Sequence, residues 1–257
     1  MKARFVSMNL GGLNDWFLSR EKKLIQGLRR LEPDVVCLQE ATVSHRDRFY
    51  HQPRAIGAGV GLRYNVFCPY GNAVEILSPE QGGIAILARW PILETRSRPL
   101  PSGHGRSTDA RVALAASLEA PGGRLEVVTT HLSWEPEEAE SRLLQMGVVL
   151  NEFESLAGAR AVLVGDLNAT DEEPAIDLLK EKLKDAFKSL HPDDNGYTWS
   201  PENPFAAGWN MPPRRLDYLF CERDVEISSA EVILTEPPVS DHYGLLVELR
   251  WKITGKR

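Results

Sequence analysis
The 257 residues, 42% hydrophobic and 26% charged, have the composition of an ordinary globular protein able to bury a large core, which excludes long disordered spans and fits one domain over residues 1–257. A net charge of −6, with no Lys/Arg run longer than two, lacks the usual footprint of a nucleic-acid binder and weakens nucleic acid as a partner. It does not exclude one, because a bound dication reverses the local sign.

The opening "MKARFVSMNL" carries no export signal, no apolar run approaches the roughly 18 residues of a membrane span, and Cys37, Cys68 and Cys221 lack CxxC spacing. A monomer in a reducing cytoplasm is expected, with each cysteine a small buried residue.

"ARFVSMNL" reads as a first strand. "DWFLSREKKLIQGLRRLE" reads as an amphipathic helix with Trp16, Phe17, Leu24, Ile25, Leu28 and Leu31 on one face, stopped at Pro33. "DVVCLQE" is an apolar strand that turns polar at its end. Short strands follow in the manner of hairpins, namely "GVGLRYNVFC", "NAVEIL", "GGIAILA", then "DARVALAASLEA" turning through Pro121-Gly122-Gly123 into "RLEVVTTHL". A helix is expected over 137–156, a buried strand at "ARAVLVGDLN" and a helix at "EEPAIDLLKEKL". A Pro-rich aromatic loop then runs from Leu190 to Pro213, followed by strands "RLDYLFC", "VEISSAEVIL" and "YGLLVELRW". Many strands, mostly antiparallel, with a few helices between them predict an α/β sandwich of two packed sheets flanked by helices.

Several strands end in, or run into, a restricted set of polar residues: Asn9, Glu40, His131, Asp166 with Asn168, and Asp241 with His242; Asp217 stands inside "RRLDYLF". Burying an ionised carboxylate costs several kcal/mol unless something compensates it, so acids on apolar strands predict a shared positive partner. Singly, each residue has an ordinary role. Asp166 or Asn168 would form a turn, Asn9 would cap the turn at Gly11-Gly12, and Asp217 would pair with Arg214 or Arg215. Together they point elsewhere. The hard oxygen donors Glu40, Asp241 and the Asn9 amide suit Mg²⁺ or Mn²⁺, and two histidines beside acids suit proton transfer to or contact with a phosphoryl group. The combined chemistry is hydrolysis at phosphorus.

The ordered words "SMNL", "CLQE", "GGIAILAR", "TTHLSW", "VGDLNAT", "RRLDYLF" and "SDHYGLLVEL" span nearly the whole chain and resemble the endonuclease/exonuclease/phosphatase superfamily. That group contains pancreatic-type deoxyribonucleases, abasic-site endonucleases, neutral sphingomyelinases, inositol polyphosphate 5-phosphatases and deadenylases. The resemblance implies a four-layer α/β sandwich with the site where the polar strand ends converge. It implies that Glu40 binds the essential divalent ion with help from Asn9. Asp166 would orient and deprotonate the attacking water, and Asn168 would steady the charge at phosphorus. His242 backed by Asp217 would contact phosphate and move a proton, Asp241 would be tied to metal or water, and His131 would be the second histidine. Gly11 stands where abasic-site endonucleases tend to carry a further acid, so their metal arrangement is not implied. Glu80 is a candidate partner for His131, with a turn acid the competing role.

Arg111 is either a further phosphate contact or a surface strand arginine. In the aromatic loop Trp199 and Tyr197 are expected to pack inward, while Trp209 and Phe205 are surface candidates for contact with substrate; His104 and Arg106 lie on a second loop. The function expected is a Mg²⁺- or Mn²⁺-dependent phosphodiesterase that uses metal-assisted in-line attack of water on its phosphodiester substrate. A nuclease is slightly favoured, and a lipid or small-molecule phosphoesterase is the alternative. A non-catalytic binding protein has no need of this acid and histidine set, and a zinc hydrolase lacks clustered histidine ligands.

Overall fold
Alternation of side chains across two packed sheets organises the chain. In this computed structural model, which describes residues 1–13, 17–45, 49–71, 79–102, 110–156 and 160–252, one seven-stranded sheet has β1 (Lys2–Asn9), β2 (Val35–Ser44), β3 (Tyr50–His51), β4 (Tyr64–Pro69), β5 (Glu80–Ala88), β12 (Glu226–Ile233) and β13 (Gly244–Arg250). Its order is β12-β13-β1-β2-β5-β4, with β3 added to β2. The other sheet has six strands in the order β10-β11-β9-β8-β7-β6: β6 (Ile92–Pro99), β7 (Val112–Ala120), β8 (Gly123–His131), β9 (Arg160–Asp166), β10 (Lys184–Asp185) and β11 (Asp217–Cys221). The helices are α1 (Phe17–Leu31), α2 (Gln52–Val60), α3 (Ala139–Glu154), α4 (Pro174–Lys182) and α5 (Ala186–Leu190).

Successive residues of one strand serve different cores. Phe5, Val35, Val127 and Val162 point between the sheets and meet Ile86, Leu114 and Val247. Their neighbours Val6 and Val36 face outward onto Phe17, Leu24 and Leu28 of α1 and Ile56 of α2. Val128 and Leu163 face outward onto Met146, Val149 and Phe153 of α3 and Leu179 of α4. Three apolar interfaces therefore separate four layers, α/β/β/α, as expected from the sequence.

Among the described residues two strand pairs are parallel, β1 with β2 and β8 with β9, and each is joined through a helix, α1 and α3 respectively. A parallel pair needs such a crossover, and its two C-terminal ends lie at one edge of the sheet. Asn9 and Glu40 thus end up together, and so do His131 and Asp166. Strand β11 runs antiparallel to β9 and β13 antiparallel to β1, so their N-terminal ends, carrying Asp217 and following His242, come to that same edge. The topology alone gathers the polar strand ends.

The structure adds elements that the sequence expectation lacks: the short strands β3 and β10, helix α5, helix α2 and strand β6. Residues 59–60 of "GVGLRYNVFC" close helix α2 rather than begin a strand, His51 caps that helix by accepting from Arg54 N–H, and Gly61 ends it at φ 91°. Strand β6 is absent from the sequence expectation, because "ILETRSRP" is an edge strand, mostly exposed, with charges that blunt it against further pairing. The segments "NAVEIL", His104 with Arg106, and Trp16 lie outside the described residues. Among the described residues no helix is long and apolar enough to cross a membrane.

Candidate functional site
Register places the side chains of the six-stranded sheet. His131 is opposite Asp166 on one side and Asp217 is opposite it on the other, so the three leave adjacent strands on the same face. Gly165 lets this happen: a Cβ there would lie 2.2 Å from Thr130 O, inside the backbone of β8. In the other sheet a bulge between Leu38 and Ala41, with Glu40 at φ 52°, re-aims the Glu40 carboxylate towards the cleft. Gln39 instead points across to the second sheet, where its amide donates to Thr129 Oγ1 at 3.4 Å.

Asp166 is the hub. It is fully buried; its Oδ1 accepts from Asn168 N–H (2.9 Å), and its Oδ2 accepts from Asn9 Nδ2 (2.8 Å). The same Oδ2 lies 3.6 Å from His131 Nε2 and 3.7 Å from His242 Nε2. The ordinary and functional roles expected from the sequence therefore coexist: Asp166 does close a turn, with one oxygen, while the other faces both histidines. Asn9 behaves likewise, its Oδ1 accepting from Gly11 N–H (2.9 Å) while its Nδ2 also donates to Glu40 Oε1 (3.2 Å). Asn168, at φ 48°, donates its Nδ2 to Leu132 O (3.1 Å).

The two histidines have opposite partners. His242 Nδ1 donates to Asp217 Oδ2 at 2.9 Å. Burial alone would lower its pKa, but Asp217 and Asp166 outweigh burial and hold it well above the ordinary value, as imidazolium. His131 Nδ1 accepts from Arg111 Nη1 (3.1 Å) and lies 2.8 Å from Tyr70 Oη. A guanidinium has no lone pair to offer, so the ring proton sits on Nε2, facing Asp166. Burial, with Arg111 beside it, drives the His131 pKa well below its usual value, and the ring is neutral. Asp166 is raised, by burial first and by Asp217, with His242 opposing.

The ordinary role expected for Asp217 is a pair with Arg214 or Arg215. It forms neither: Arg215 is taken by Asp171 and Asp185, and Asp217 holds His242. Arg111 is buried beneath His131, not a surface arginine. Trp199 packs inward with Ala206 and Leu216 as expected, whereas Tyr197, 43% exposed, does not. Phe205 and Trp209 are exposed as expected, Phe205 beneath the Arg20 guanidinium at 5.0 Å. The described acidic neighbour of His131 is Asp166; Glu80 lines the same cleft.

Sequence reasoning misses four supports. Tyr70 accepts from Glu40 N–H at 3.3 Å and so ties His131 to the Glu40 bulge. Thr198 Oγ1 accepts from the amides of Leu216 and Asp217, fixing the start of β11. Asn203 Nδ2 donates to the carbonyls of Ser240 and Asp241 (2.8 and 3.1 Å), fixing the loop that carries His242. Trp134, the last residue of "TTHLSW", lines the cleft, a role the sequence pattern does not assign to it. Such neutral hydrogen-bonding partners leave no mark in a sequence; Trp134 alone has a signal, as an apolar residue next to a polar strand end.

The residues surround a cleft of about 570 Å³ bounded by Glu40, Tyr70, Arg111, His131, Asp166, Asn168, Asp241 and His242 on its polar side. Glu40 and Asp241, both lining the cleft, are oxygen donors that could hold a hard dication. The Glu40 pKa is raised, by burial first and then by Asp241, and a cation between two such carboxylates would relieve both effects. Gly11 makes room for this pair, since a Cβ at its φ of 64° would sit 2.6 Å from Asp241 Oδ1. A second donor set, Asp166, Asp217 and His242, has ligand atoms within 4.8 Å of one another, and the Asp217 Oδ1 atom has no hydrogen-bond partner among the described residues. His242 Nδ1 in that set is committed to Asp217, whereas Glu40 and Asp241 offer oxygen alone, the donor type of hard dications.

A four-layer α/β sandwich with carboxylates, an amide and two oppositely protonated histidines gathered at one edge is an arrangement suited to chemistry at a phosphoester. The chain belongs to the Endonuclease/Exonuclease/phosphatase family, whose model matches residues 6–242. Members of that family are divalent-metal-dependent hydrolases of phosphoesters. The chain is similar to a phospholipase C of Staphylococcus aureus, 27% identical over 179 residues, covering 62% of this chain and 52% of that protein. It is also similar to tyrosyl-DNA phosphodiesterase 2 of Xenopus laevis, 26% identical over 199 residues, covering 76% and 49%. The chain thus spans about half the length of these curated relatives. In fold it is similar to an endonuclease/exonuclease/phosphatase from Beutenbergia cavernae, with TM-score 0.77, 23% identity and coverage of 97% of this chain and 71% of that one.

Proposed function
We propose that the chain is a Mg²⁺- or Mn²⁺-dependent phosphodiesterase in which water attacks phosphorus in line. The observation that supports this best is the single Asp166 carboxylate oxygen facing Asn9, His131 and His242 together on the polar side of the cleft. In this reading Asp166 takes the proton of the attacking water as the new oxygen–phosphorus bond forms and the bond to the departing oxygen breaks. A base whose pKa is raised towards the operating pH is better suited to that transfer. His242, held charged by Asp217, donates from Nε2 to a phosphoryl oxygen, and neutral His131 donates from its own Nε2 to another. Asn168 adds an amide donor and Arg111 holds His131 in place. Glu40 and Asp241, with Asn9 orienting Glu40, would hold the dication, which when bound supplies Lewis-acid stabilisation of phosphoryl and departing oxygens.

A nucleic-acid phosphodiester is the substrate favoured, in line with the tyrosyl-DNA phosphodiesterase resemblance. The phospholipase C resemblance favours a second reading, a lipid phosphodiester. Metal-dependent turnover of a panel tests both: plasmid DNA, abasic duplex, single-stranded DNA, RNA, sphingomyelin and bis-p-nitrophenyl phosphate. Turnover is expected with Mg²⁺ or Mn²⁺ and abolished by EDTA. Asp166→Asn should remove it while leaving unfolding cooperative, and Glu40→Gln should raise the metal concentration required. Full activity of Asp166→Asn, or turnover that persists in EDTA, would contradict the proposal.

A further inference from the structure
The cleft has a second wall that phosphoryl chemistry does not use. Trp134 and Trp209 meet edge to face, with centroids 5.9 Å apart and planes at 82°. Both line the cleft with Met211 and Arg214, and both remain exposed, 41% and 49%. Two touching indoles left in water at the mouth of a cleft forgo the burial that would stabilise the fold, which marks them as a surface for contact.

The wall is built in advance. The buried Arg142 guanidinium donates to the carbonyls on either side of Trp134, Ser133 O (3.2 Å) and Glu135 O (2.7 Å), and Ser133 N–H donates to Gln145 Oε1 (3.0 Å). Arg214 is fixed at its backbone, where its N–H donates to Trp199 O (2.9 Å) and its carbonyl accepts from Trp199 N–H (3.0 Å). Its guanidinium, half-buried in the same cleft, has no ion pair or hydrogen bond among the described residues. Rigid aromatic groups lose little entropy on binding, and a free guanidinium beside them asks for an anion. An acyl chain on this wall would leave Arg214 facing hydrocarbon. A nucleotide satisfies both groups, its base stacking on indole and its neighbouring phosphate meeting the cation.

We infer that the wall of Trp134, Trp209 and Met211 with Arg214 is a nucleoside subsite, on which a base of the substrate stacks while the phosphate next to the scissile one lies on Arg214. This rests on the phosphodiesterase function proposed above and names its substrate class.

Two esters with the same scissile bond separate the subsite from the chemistry: thymidine 5′-(p-nitrophenyl phosphate) and methyl p-nitrophenyl phosphate. Trp209→Ala should lower kcat/KM roughly 5- to 150-fold for the thymidine ester, the range of one base–aromatic stack, and leave the methyl ester unchanged. Arg214→Gln should reduce turnover of a single-stranded oligonucleotide and flatten its log–log salt slope by about 0.7, the value of one phosphate on a single strand. Equal loss on both esters in Trp209→Ala, or loss confined to a short-chain phosphatidylcholine, overturns the inference. If the wild-type protein cleaves neither ester, the function proposed above fails. The subsite is then decided by titrating an oligonucleotide against tryptophan fluorescence: saturable quenching that Trp209→Ala removes supports it, and no quenching refutes it.

Discussion
Arg215 and Asp166 are both buried charged groups, yet their surroundings differ in kind. The Arg215 guanidinium forks onto Asp185 with two bonds (3.0 and 2.7 Å), reaches Asp171 with two more, and lies 4.4 Å over the Tyr218 ring. Burial would lower its pKa, but the two acids raise it instead; the charge is compensated on every side. Around Asp166 the count does not close. Asp166, Asp217, Glu40 and Asp241 stand with His242, Arg111 and, near Glu40 and Asp241, Arg20; burial first, and then the surplus of acids, lifts both Asp166 and Glu40 above the usual carboxylate range. A closed cluster holds the fold together, whereas an open one at a cleft stores an unmet demand for protons, cation or substrate.

The largest effects should come from breaking the open cluster. His242→Ala, or Asp217→Asn, which removes the acid holding the imidazolium, should reduce turnover about 10²- to 10⁴-fold. Unfolding should stay cooperative in both, with Asp217→Asn the milder in thermal melts because it removes an acid from a site with too many, whereas His242→Ala removes a cation and leaves Asp217 buried without its partner. A variant that keeps wild-type kcat would separate the Asp217–His242 pair from the chemistry.

The closed cluster should respond in the opposite sense. Arg215→Met leaves Asp185, 8% exposed, without its fork, and loss of one partner of a buried ion pair costs about 3–5 kcal/mol. Denaturant melts should show that loss, while turnover per folded molecule is largely kept. Unchanged stability with lost turnover would move Arg215 from the first kind of cluster to the second.

The same contrast governs what could be read from the chain. Acids on apolar strands are anomalous, so Asp166, Asp217 and Glu40 stand out against apolar runs such as "RAVLVGD", "DVVCLQE" and "RLDYLFC". Helix α2 stays hidden because "QPRAIGAGV" is short and broken by two glycines, and Pro53 with the His51 cap is too weak a start signal. Arg215 gives no hint of being fully paired, since Asp171 and Asp185 reach it from other elements. The bulge that turns Glu40 and the hydroxyl of Tyr70 that supports it depend on a neighbouring strand, and sequence periodicity does not register such contacts.

Tyr70 offers the finest division between the two kinds of cluster, because it belongs to the open one without carrying charge. Its hydroxyl lies 2.8 Å from His131 Nδ1 and accepts from Glu40 N–H, so Tyr70→Phe deletes one support of His131 while Arg111 keeps donating to the same nitrogen. The ring should stay neutral with its proton on Nε2, and ¹⁵N shifts of His131 should still report that tautomer. Losing one neutral hydrogen bond is worth about 1 kcal/mol, so kcat should fall by about fivefold, with KM little changed if the hydroxyl only positions the ring. A switch of the ¹⁵N pattern to the Nδ1-protonated form would show that Tyr70, rather than Arg111, sets the proton on His131.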